Sequence, residues 1–151
     1  MKLAEALQER ADLNKKIEQL RSRLEANATV QEGEKPAEDP NELLKELNSS
    51  IARLEFLIAK INMVNCHTST NGKTLTELLA EKDCLSLNIN TLQNLRNSAS
   101  RLAQRATRSE IKILSAIDVK NLQSEIDKLS KRLRIVDNSI QEANWSTTID
   151  L

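Results

Sequence analysis

The side chains best suited to catalysis or metal binding belong to one histidine and two cysteines. His67 is the only histidine in the chain, Cys66 precedes it, and Cys84 lies further along. Ser-His-Asp and Cys-His catalysis would both need this histidine, and no G-x-S-x-G motif accompanies it. The Cys and His spacing matches no zinc pattern, and a fourth ligand is missing. We therefore predict no catalytic residue, no metal site and no cofactor, with His67 a polar loop residue and both cysteines reduced.

Two clusters of opposite charge are the other candidates for chemistry. One is a basic stripe, whose arginines share a helical face because they are four and three residues apart: Arg101, Arg105, Arg108 and Lys112. The other is an acidic loop: Glu32, Glu34, Glu38 and Asp39. In an up-down-up arrangement of the first three helices, both clusters lie at one end. The favoured interpretation is charge pairing that docks the loop, and the alternative is a site for an anionic ligand, a metal or an acidic partner.

Composition limits the partners that this chain can recruit. Lys plus Arg and Asp plus Glu both number 22, and Phe56 and Trp145 are the only aromatic residues. Because nucleic-acid binders carry a basic excess and single-strand binders stack bases on aromatic rings, we predict no nucleic-acid partner. No apolar run approaches the length of a membrane span and no signal-like segment opens the chain, so we expect no membrane partner and a cytoplasmic location.

Long amphipathic helices must position these clusters. Only two Gly and two Pro interrupt 151 residues, and apolar residues recur at spacings of three and four. This heptad pattern predicts an all-α protein of long antiparallel helices in a four-helix bundle or coiled-coil arrangement, with a short extended arm between helices 3 and 4. We expect a single helical domain over 1–151, with helices at about 2–29, 40–65, 75–107 and 119–144, a loop at 30–39, the arm at 108–118 and a tail at 145–151.

The apolar seams predict which helix faces meet a neighbour. In helix two the heptad positions are aliphatic throughout: Leu44, Leu47, Ile51, Leu54, Ile58 and Ile61. Leu43, Leu57 and Val64 widen this stripe, which favours contact with two neighbours, as in a bundle. Similar seams run along the other helices, over 3–24, 75–106 and 122–143.

Charged residues interrupt two of these seams. Arg10, Lys82 and Arg96 occupy otherwise apolar positions of helices one and three. One interpretation is that their charged ends reach solvent at the seam edge. The other is a device that selects the oligomer, because a polar seam residue chooses between pairings at a cost in stability. Both interpretations predict that Arg10→Leu keeps the helices, and only the second predicts a changed oligomer.

The arm and Trp145 are further candidates for assembly. Ile111 and Ile113 alternate with Lys112, which predicts an extended segment with β character, and an unpaired strand edge invites pairing or exchange between subunits. The arm could also carry helix four onto another subunit. Trp145 closes helix four, where the favoured interpretation is a hydrophobic plug at the bundle end and the alternative is an interface anchor.

Turn and capping signals mark the helix boundaries. Asp39 followed by Pro40 predicts the start of helix two, and Asp118 predicts the start of helix four. Asn71-Gly72 predicts a tight turn before helix three. Thr74 with Glu77 predicts a capping box for that helix.

Several longer motifs are shared with a known family. They are Lys2-Leu3-Ala4-Glu5-Ala6-Leu7, Glu9-Arg10-Ala11-Asp12-Leu13, Val30-Gln31-Glu32-Gly33-Glu34, Glu38-Asp39-Pro40, Arg108-Ser109-Glu110-Ile111-Lys112, Val119 and Gln141-Glu142-Ala143-Asn144-Trp145. With these motifs the chain resembles small uncharacterised bacterial proteins, some labelled septicolysin or septicolysin-like. The resemblance covers essentially the whole chain and implies a helical bacterial protein. It supplies no active site, and its label implies cytolysis.

These observations predict a non-enzymatic helical assembly or interaction protein that forms a homo-oligomer. Its partner is then another copy of the chain, held by heptad seams and by the arm. One alternative is a membrane-active, cytolysin-like protein, which the family label alone suggests. The other is a ligand- or metal-binding enzyme that uses the charged end of the bundle.

Overall fold

The computed structural model describes residues 1–101 and 111–151. These residues form four helices and two short strands: α1 (Leu3–Ala26), α2 (Pro40–His67), β1 (Ser69–Thr70), β2 (Lys73–Thr74), α3 (Leu75–Ala99) and α4 (Val119–Ser146). The predicted all-α class is confirmed. Where the sequence predicts a single domain, the contacts divide the chain into two compact units, residues 1–69 with 143–151 and residues 70–142.

Capping residues account for the starts of α2 and α3. The Asp39 carboxylate accepts a hydrogen bond from the Asn41 backbone N–H at 2.9 Å, and Pro40 follows as the first helical residue. At α3, Thr74 Oγ1 accepts from the Glu77 N–H at 3.2 Å, and the Glu77 carboxylate accepts from the Thr74 N–H at 2.7 Å. Both predicted caps are confirmed, since each satisfies backbone donors that lack a partner within the helix.

A hairpin turn of two residues leads into α3. The strands β1 and β2 pair around Asn71 and Gly72, whose φ angles are +53° and +78°. Two successive positive φ angles are typical of a type I′ turn, in which Asn-Gly is the preferred pair. The predicted turn is confirmed, although it closes a small sheet where the sequence predicts only a loop.

In the first unit, α1 and α2 pack antiparallel along a narrow aliphatic core. The buried apolar residues of the two helices are Leu3, Ala6, Leu20, Leu43, Leu57 and Ile61. The seam predicted for α1 is confirmed, because every one of its positions from Leu3 to Leu24 is buried or half-buried. Arg10 lies half-buried within this seam.

The packing face of α2 differs from the predicted one. Leu43 and Leu57, which the sequence places at the edge of the stripe, are buried, whereas Leu44, Ile51 and Ile58 of the predicted seam are exposed. Neighbouring residues point about 100° apart around a helix, so the two stripes face different directions. Apolar periodicity could not choose between them, because both stripes are aliphatic.

The two chain ends of the first unit are joined by backbone hydrogen bonds. The Leu3 N–H donates to the Thr147 carbonyl at 3.0 Å, and the Ile149 N–H donates to the Met1 carbonyl at 2.9 Å. Lys2 and Thr148 form the antiparallel bridge between them, and Ile149 is fully buried. The residues predicted to be a tail after α4 are therefore tied to the start of α1.

In the second unit, α3 and α4 pack around a second aliphatic core. Its centre is Ile89, Leu122 and Ile126, with Leu92, Leu129 and Leu133 packed against it. The predicted seams are confirmed for the described residues of both helices, since their positions are buried or half-buried. Lys82 contacts Asp137 and Arg96 contacts Gln123, so the chain directions of α3 and α4 are opposed.

The described part of the predicted arm, residues 111–118, contains no strand. Ile111 and Leu114 are exposed and Ile113 is half-buried, so the β character predicted for this segment is wrong for these residues. Asp118 then caps α4, as predicted, because its carboxylate accepts from the backbone N–H groups of Lys120 and Asn121, both at 3.1 Å. The predictions for residues 102–110, including the end of helix three and the start of the arm, lie outside the described residues.

Candidate binding and assembly surfaces

Two ion pairs seven residues apart join α1 to α2, and a third joins α1 to the connecting loop. Arg53 donates to the Glu9 carboxylate at 2.7 and 3.0 Å, and Lys16 lies 2.9 Å from Glu46. Arg23 is paired with Glu38 at the end nearer the connecting loop. The hydrogen bonds donated by these cations lower the pKa values of all three glutamates below their usual range. We call these contacts the α1/α2 ladder.

The α1/α2 ladder marks the register that the first hairpin adopts. A slip by one heptad would bring Glu9 opposite Glu46 in one direction, or Lys16 opposite Arg53 in the other, and would break the observed ion pairs. The remaining positions of a slipped register pair opposite charges, such as Arg23 with Glu46, so these charges alone do not exclude it. Glu46 and Arg53 flank the Leu43–Leu57 stripe of α2, and this is the sequence signal that could have identified the stripe facing α1.

The acidic loop docks on its own hairpin. Arg23 holds the Glu38 carboxylate, and the Glu38 N–H donates to the buried Asn27 side chain at 3.0 Å. Asp39 is used as the cap of α2. Among the other members of the predicted loop cluster, Glu32 and Glu34 are exposed. The acidic loop therefore docks on Arg23 of α1. The charge pattern of the sequence did not identify this residue as the partner of the loop.

The predicted basic stripe is described only at its two ends. Arg101 and Lys112 are exposed, while Arg105 and Arg108 lie outside the described residues. Arg101 borders a shallow depression formed by Leu95, Ala99 and residues 113–117. An anion site at this stripe stays a prediction.

The predicted seam cations of α3 have partners in the second unit. Lys82 donates to Asp137 at 2.5 Å and Arg96 donates to Gln123 at 2.7 Å. Next to Lys82, Glu81 accepts from Lys73 at 2.7 Å and from Arg132 at 2.6 Å, and both contacts lower its pKa. These cations therefore pair with residues of the neighbouring helix within the hairpin, and the choice between the two interpretations of Lys82 and Arg96 stays open.

Among the residues that the structure describes, the potential metal ligands are not grouped. No cluster of three or more His, Cys, Asp or Glu side chains suited to a metal occurs within residues 1–101 and 111–151. His67 is the last residue of α2 rather than a loop residue, and its Nδ1 lies 2.7 Å from the Met63 carbonyl. Cys66 and Cys84 are exposed thiols. As for membranes, no helix in the described ranges combines the length and apolarity needed to cross a bilayer.

An aliphatic strip faces outward along α2. Leu44, Ile51 and Ile58 are 45%, 44% and 40% exposed and lie seven residues apart. Leu47 and Leu54 are half-buried between them. Around Ile51 and Ile58 the strip contains a shallow, mainly apolar depression of about 410 Å³. We call these five residues the α2 strip.

A second apolar surface surrounds Trp145. Its side chain is 62% exposed, so the predicted hydrophobic plug is wrong. The indole borders a cleft of about 620 Å³ whose apolar lining includes Met1, Ala4 and Leu13 of the first unit. Hydrogen bonds between the chain ends hold Trp145 here, since they fix the residues that follow it against the start of α1. We call this surface the Trp145 cleft.

Comparisons with known proteins give a family and a fold. Residues 10–149 match a family described as a family of unknown function (DUF6847). The structure is similar to the crystal structure of a functionally unknown conserved protein from Corynebacterium diphtheriae, which is 34% identical, with a TM-score of 0.92 over 99% of each chain. A comparison with curated proteins found no match. The resemblance to a small helical family of uncharacterised proteins is thereby supported, whereas neither finding carries the septicolysin label.

Proposed function

The chain belongs to a family of unknown function (DUF6847), so its own surfaces must suggest its role, and we propose that it is a non-enzymatic helical assembly protein that forms a homo-oligomer. The α2 strip is the contact surface in this proposal. The single observation that carries it is the exposure of Leu44, Ile51 and Ile58 at heptad intervals on a helix whose other apolar stripe is already buried.

The residue types of the strip support a helix as its occupant. A repeat of seven residues keeps one stripe facing a partner helix and allows side chains to pack as knobs into holes. Ile51 and Ile58 occupy the first apolar position of each heptad, and Leu47 and Leu54 occupy the second. In parallel coiled coils, β-branched residues at the first position with leucine at the second favour two strands, a pattern from which Leu44 departs.

A second copy of this chain satisfies that requirement. In a parallel, in-register pair, each residue of the strip meets its own counterpart, so the surface is complementary to itself. The contact area is modest, since the strip from Leu44 to Ile58 spans about two heptads and its members are already partly covered. We therefore expect a dimer whose population depends on protein concentration.

The hydrogen bonds that hold several glutamates as anions support a role without catalysis. Glu9 and Glu81 have lowered pKa values because arginine or lysine side chains donate hydrogen bonds to them, and Glu77 has a lowered pKa because it caps α3 through Thr74. A carboxylate stabilised as an anion in this way is a poor general acid or base near neutral pH. These groups are therefore better suited to aligning helices than to proton transfer.

Light scattering coupled to size-exclusion chromatography tests the proposal over a range of concentrations. We expect the wild-type mass to rise from that of one 17.0 kDa chain toward twice that value. Ile51→Glu places a charge in the strip and should keep the mass at one chain. Met63→Glu is the matched control, because Met63 is exposed on α2 outside the strip. A wild-type protein that stays monomeric throughout would contradict the proposal.

Crosslinking then tests the orientation of the pair. In a background with Cys66→Ser and Cys84→Ser, Leu44→Cys should form an intermolecular disulfide under mild oxidation if the helices are parallel and in register. An antiparallel pair centred on Ile51 would separate the two introduced thiols by about 20 Å and leave them unlinked. Ile51→Cys serves as the positive control, because it can link in both orientations.

The two alternatives from the sequence remain hypotheses outside this proposal. Lysis rests on the septicolysin label alone, and absence of dye leakage from liposomes at micromolar protein would remove it. Ligand binding at the charged end rests on the basic stripe. Phosphate or divalent metal that fails to raise the melting temperature would remove that hypothesis.

A further inference from the structure

Trp145 is exposed although the chain has few aromatic residues to bury. It is the only tryptophan, there is no tyrosine, and the side chain is 62% exposed. Leaving a large aromatic surface in water is unfavourable, and tryptophan is enriched among the residues that dominate binding at interfaces. Its placement beside a cleft, fixed by the backbone pairing of the chain ends, gives it a rigid setting.

The length of the cleft favours an elongated occupant. Its lining residues follow one side of α1 from Met1 to Lys16, a rise of about 22 Å or four helical turns. The surface between them is mainly apolar, with the small Ala4 leaving room beside the indole. A groove of this length and character suits the apolar face of an amphipathic helix.

The charged residues at the cleft edge indicate which charge the bound helix should carry beside its apolar face. The lining includes three carboxylates, Glu5, Glu9 and Asp12, and two residues with an ammonium group, Lys16 and Met1. Glu9 is paired with Arg53, and Lys16 is paired with Glu46.

The other two carboxylates keep their negative charge uncompensated in the contacts of the described residues. Glu5 accepts from the backbone N–H of Lys2 at 2.7 Å, and Asp12 accepts from the Gln8 amide at 3.0 Å. Both donors are neutral, and each carboxylate retains lone pairs for a cation. The cleft is therefore apolar at its base and has two carboxylates at its edge, Glu5 and Asp12, that no cation engages in the described contacts.

We propose that the Trp145 cleft binds an amphipathic helix of a partner protein that carries basic residues beside its apolar face. Trp145 and Leu13 contact the apolar face, and Glu5 and Asp12 pair with the basic flank. No lining residue of the cleft belongs to α2, so this inference does not depend on self-association through the α2 strip.

Fluorescence provides a direct test, because emission excited at the red edge of the absorption band comes from Trp145 alone. The probe is a synthetic peptide of about four helical turns, built from leucine and lysine in an amphipathic pattern and free of aromatic residues. The control peptide has glutamate in place of every lysine. We expect a saturable blue shift with the lysine peptide and none with the glutamate peptide.

Variants connect the signal to the cleft. Asp12→Lys should weaken binding of the lysine peptide about tenfold, because it replaces attraction at the edge by repulsion. Glu18→Lys makes the same charge change on an exposed part of α1 outside the cleft and should leave binding within about twofold. Circular dichroism checks that both variants keep their helices. If Asp12→Lys loses helix content, Asp12→Asn is tested in its place.

Three results would overturn the inference. The first is equal binding of the two peptides, which would indicate unspecific apolar contact. The second is equal loss of binding in Asp12→Lys and Glu18→Lys, which would indicate attraction to the net charge of the molecule. The third is a blue shift caused by raising the concentration of the protein alone, which would show that a second copy covers Trp145.

Discussion

The two helical hairpins of this protein bury similar aliphatic seams but differ in the apolar surface that remains outside. In the first hairpin, α2 has a buried stripe with Leu43 and Leu57 and an exposed stripe with Leu44, Ile51 and Ile58. Among the described residues of α3 and α4, the large exposed apolar residues are too irregularly spaced for a stripe: Leu87, Leu95, Ile135 and, near the end of α4, Trp145. Scattered exposed residues are normal, whereas a periodic stripe indicates a partner helix.

The comparison also shows how charge is used in each hairpin. In the first, two ion pairs seven residues apart join α1 to α2, and a third joins α1 to the connecting loop. In the second, Glu81 joins Lys73 and Arg132, and Lys82 beside it pairs with Asp137. The ion pairs of the first hairpin are therefore spread along α1, whereas those of the second lie close together. Because exposed ion pairs each add little stability, the aliphatic cores supply most of it in both hairpins.

The largest expected effect on stability is at the buried stripe of α2, and the exposed stripe provides the comparison. Leu57→Ala should lower the free energy of unfolding by about 2–5 kcal/mol, because it opens a cavity at a fully buried position. Ile51→Ala should change the unfolding free energy of the monomer much less, since its side chain is 44% exposed. Urea unfolding at low protein concentration measures both. Equal losses would show that the α2 strip is part of the monomer core.

A smaller effect distinguishes the two hairpin connections. Gly72→Ala should lower the unfolding free energy by about 1–2 kcal/mol, because residue 72 holds a φ of +78° within a two-residue turn. Gly33 has a φ of +86° in the longer connection between α1 and α2, where neighbouring residues can adjust. Gly33→Ala is therefore the matched control and should cost less. Thermal unfolding followed by circular dichroism compares the stabilities of the two variants. A larger loss in Gly33→Ala than in Gly72→Ala would contradict the prediction that the two-residue turn is the more constrained connection.

The smallest expected effect per residue is the loss of stability when individual glutamates are protonated at acid pH. Glu9, Glu38 and Glu46 of the first hairpin and Glu77 and Glu81 of the second have pKa values below the ordinary 4.5. Their stabilising contribution is present above the unfolded-state pKa and is lost as pH falls through the folded-state values. Stability should therefore be nearly constant from neutral pH to about pH 5 and fall below it.

Urea midpoints measured from pH 7 to pH 3 check this dependence. Glu81→Gln should flatten the acid dependence more than Glu38→Gln, because Glu81 is held by two cations and its side chain is only 14% exposed. Midpoints that rise between pH 5 and pH 3 would contradict the assignment of these glutamates as stabilising anions.

Local features of the fold were predictable because they depend on near neighbours in the chain. The caps at Asp39, Thr74 and Asp118 and the turn at Asn71-Gly72 follow from hydrogen-bonding side chains and permitted φ angles within a few residues. Three of the four seams were likewise readable, since each of those helices has a single apolar stripe. The contacts of the acidic loop were not predictable, because Arg23 is one of many charged residues on α1 and only the hairpin geometry brings it to Glu38.

The sequence by itself determined that this chain is built of long amphipathic helices, where most of them begin, and that its apolar residues recur at helical spacing. These properties arise from propensity, capping and periodicity, which act over one or two helical turns. The tertiary structure decided which stripe of α2 is buried, that Trp145 is exposed, and that the chain ends pair beside it. Those outcomes depend on the alignment of distant segments, where two chemically equivalent faces compete and only the surrounding contacts distinguish them.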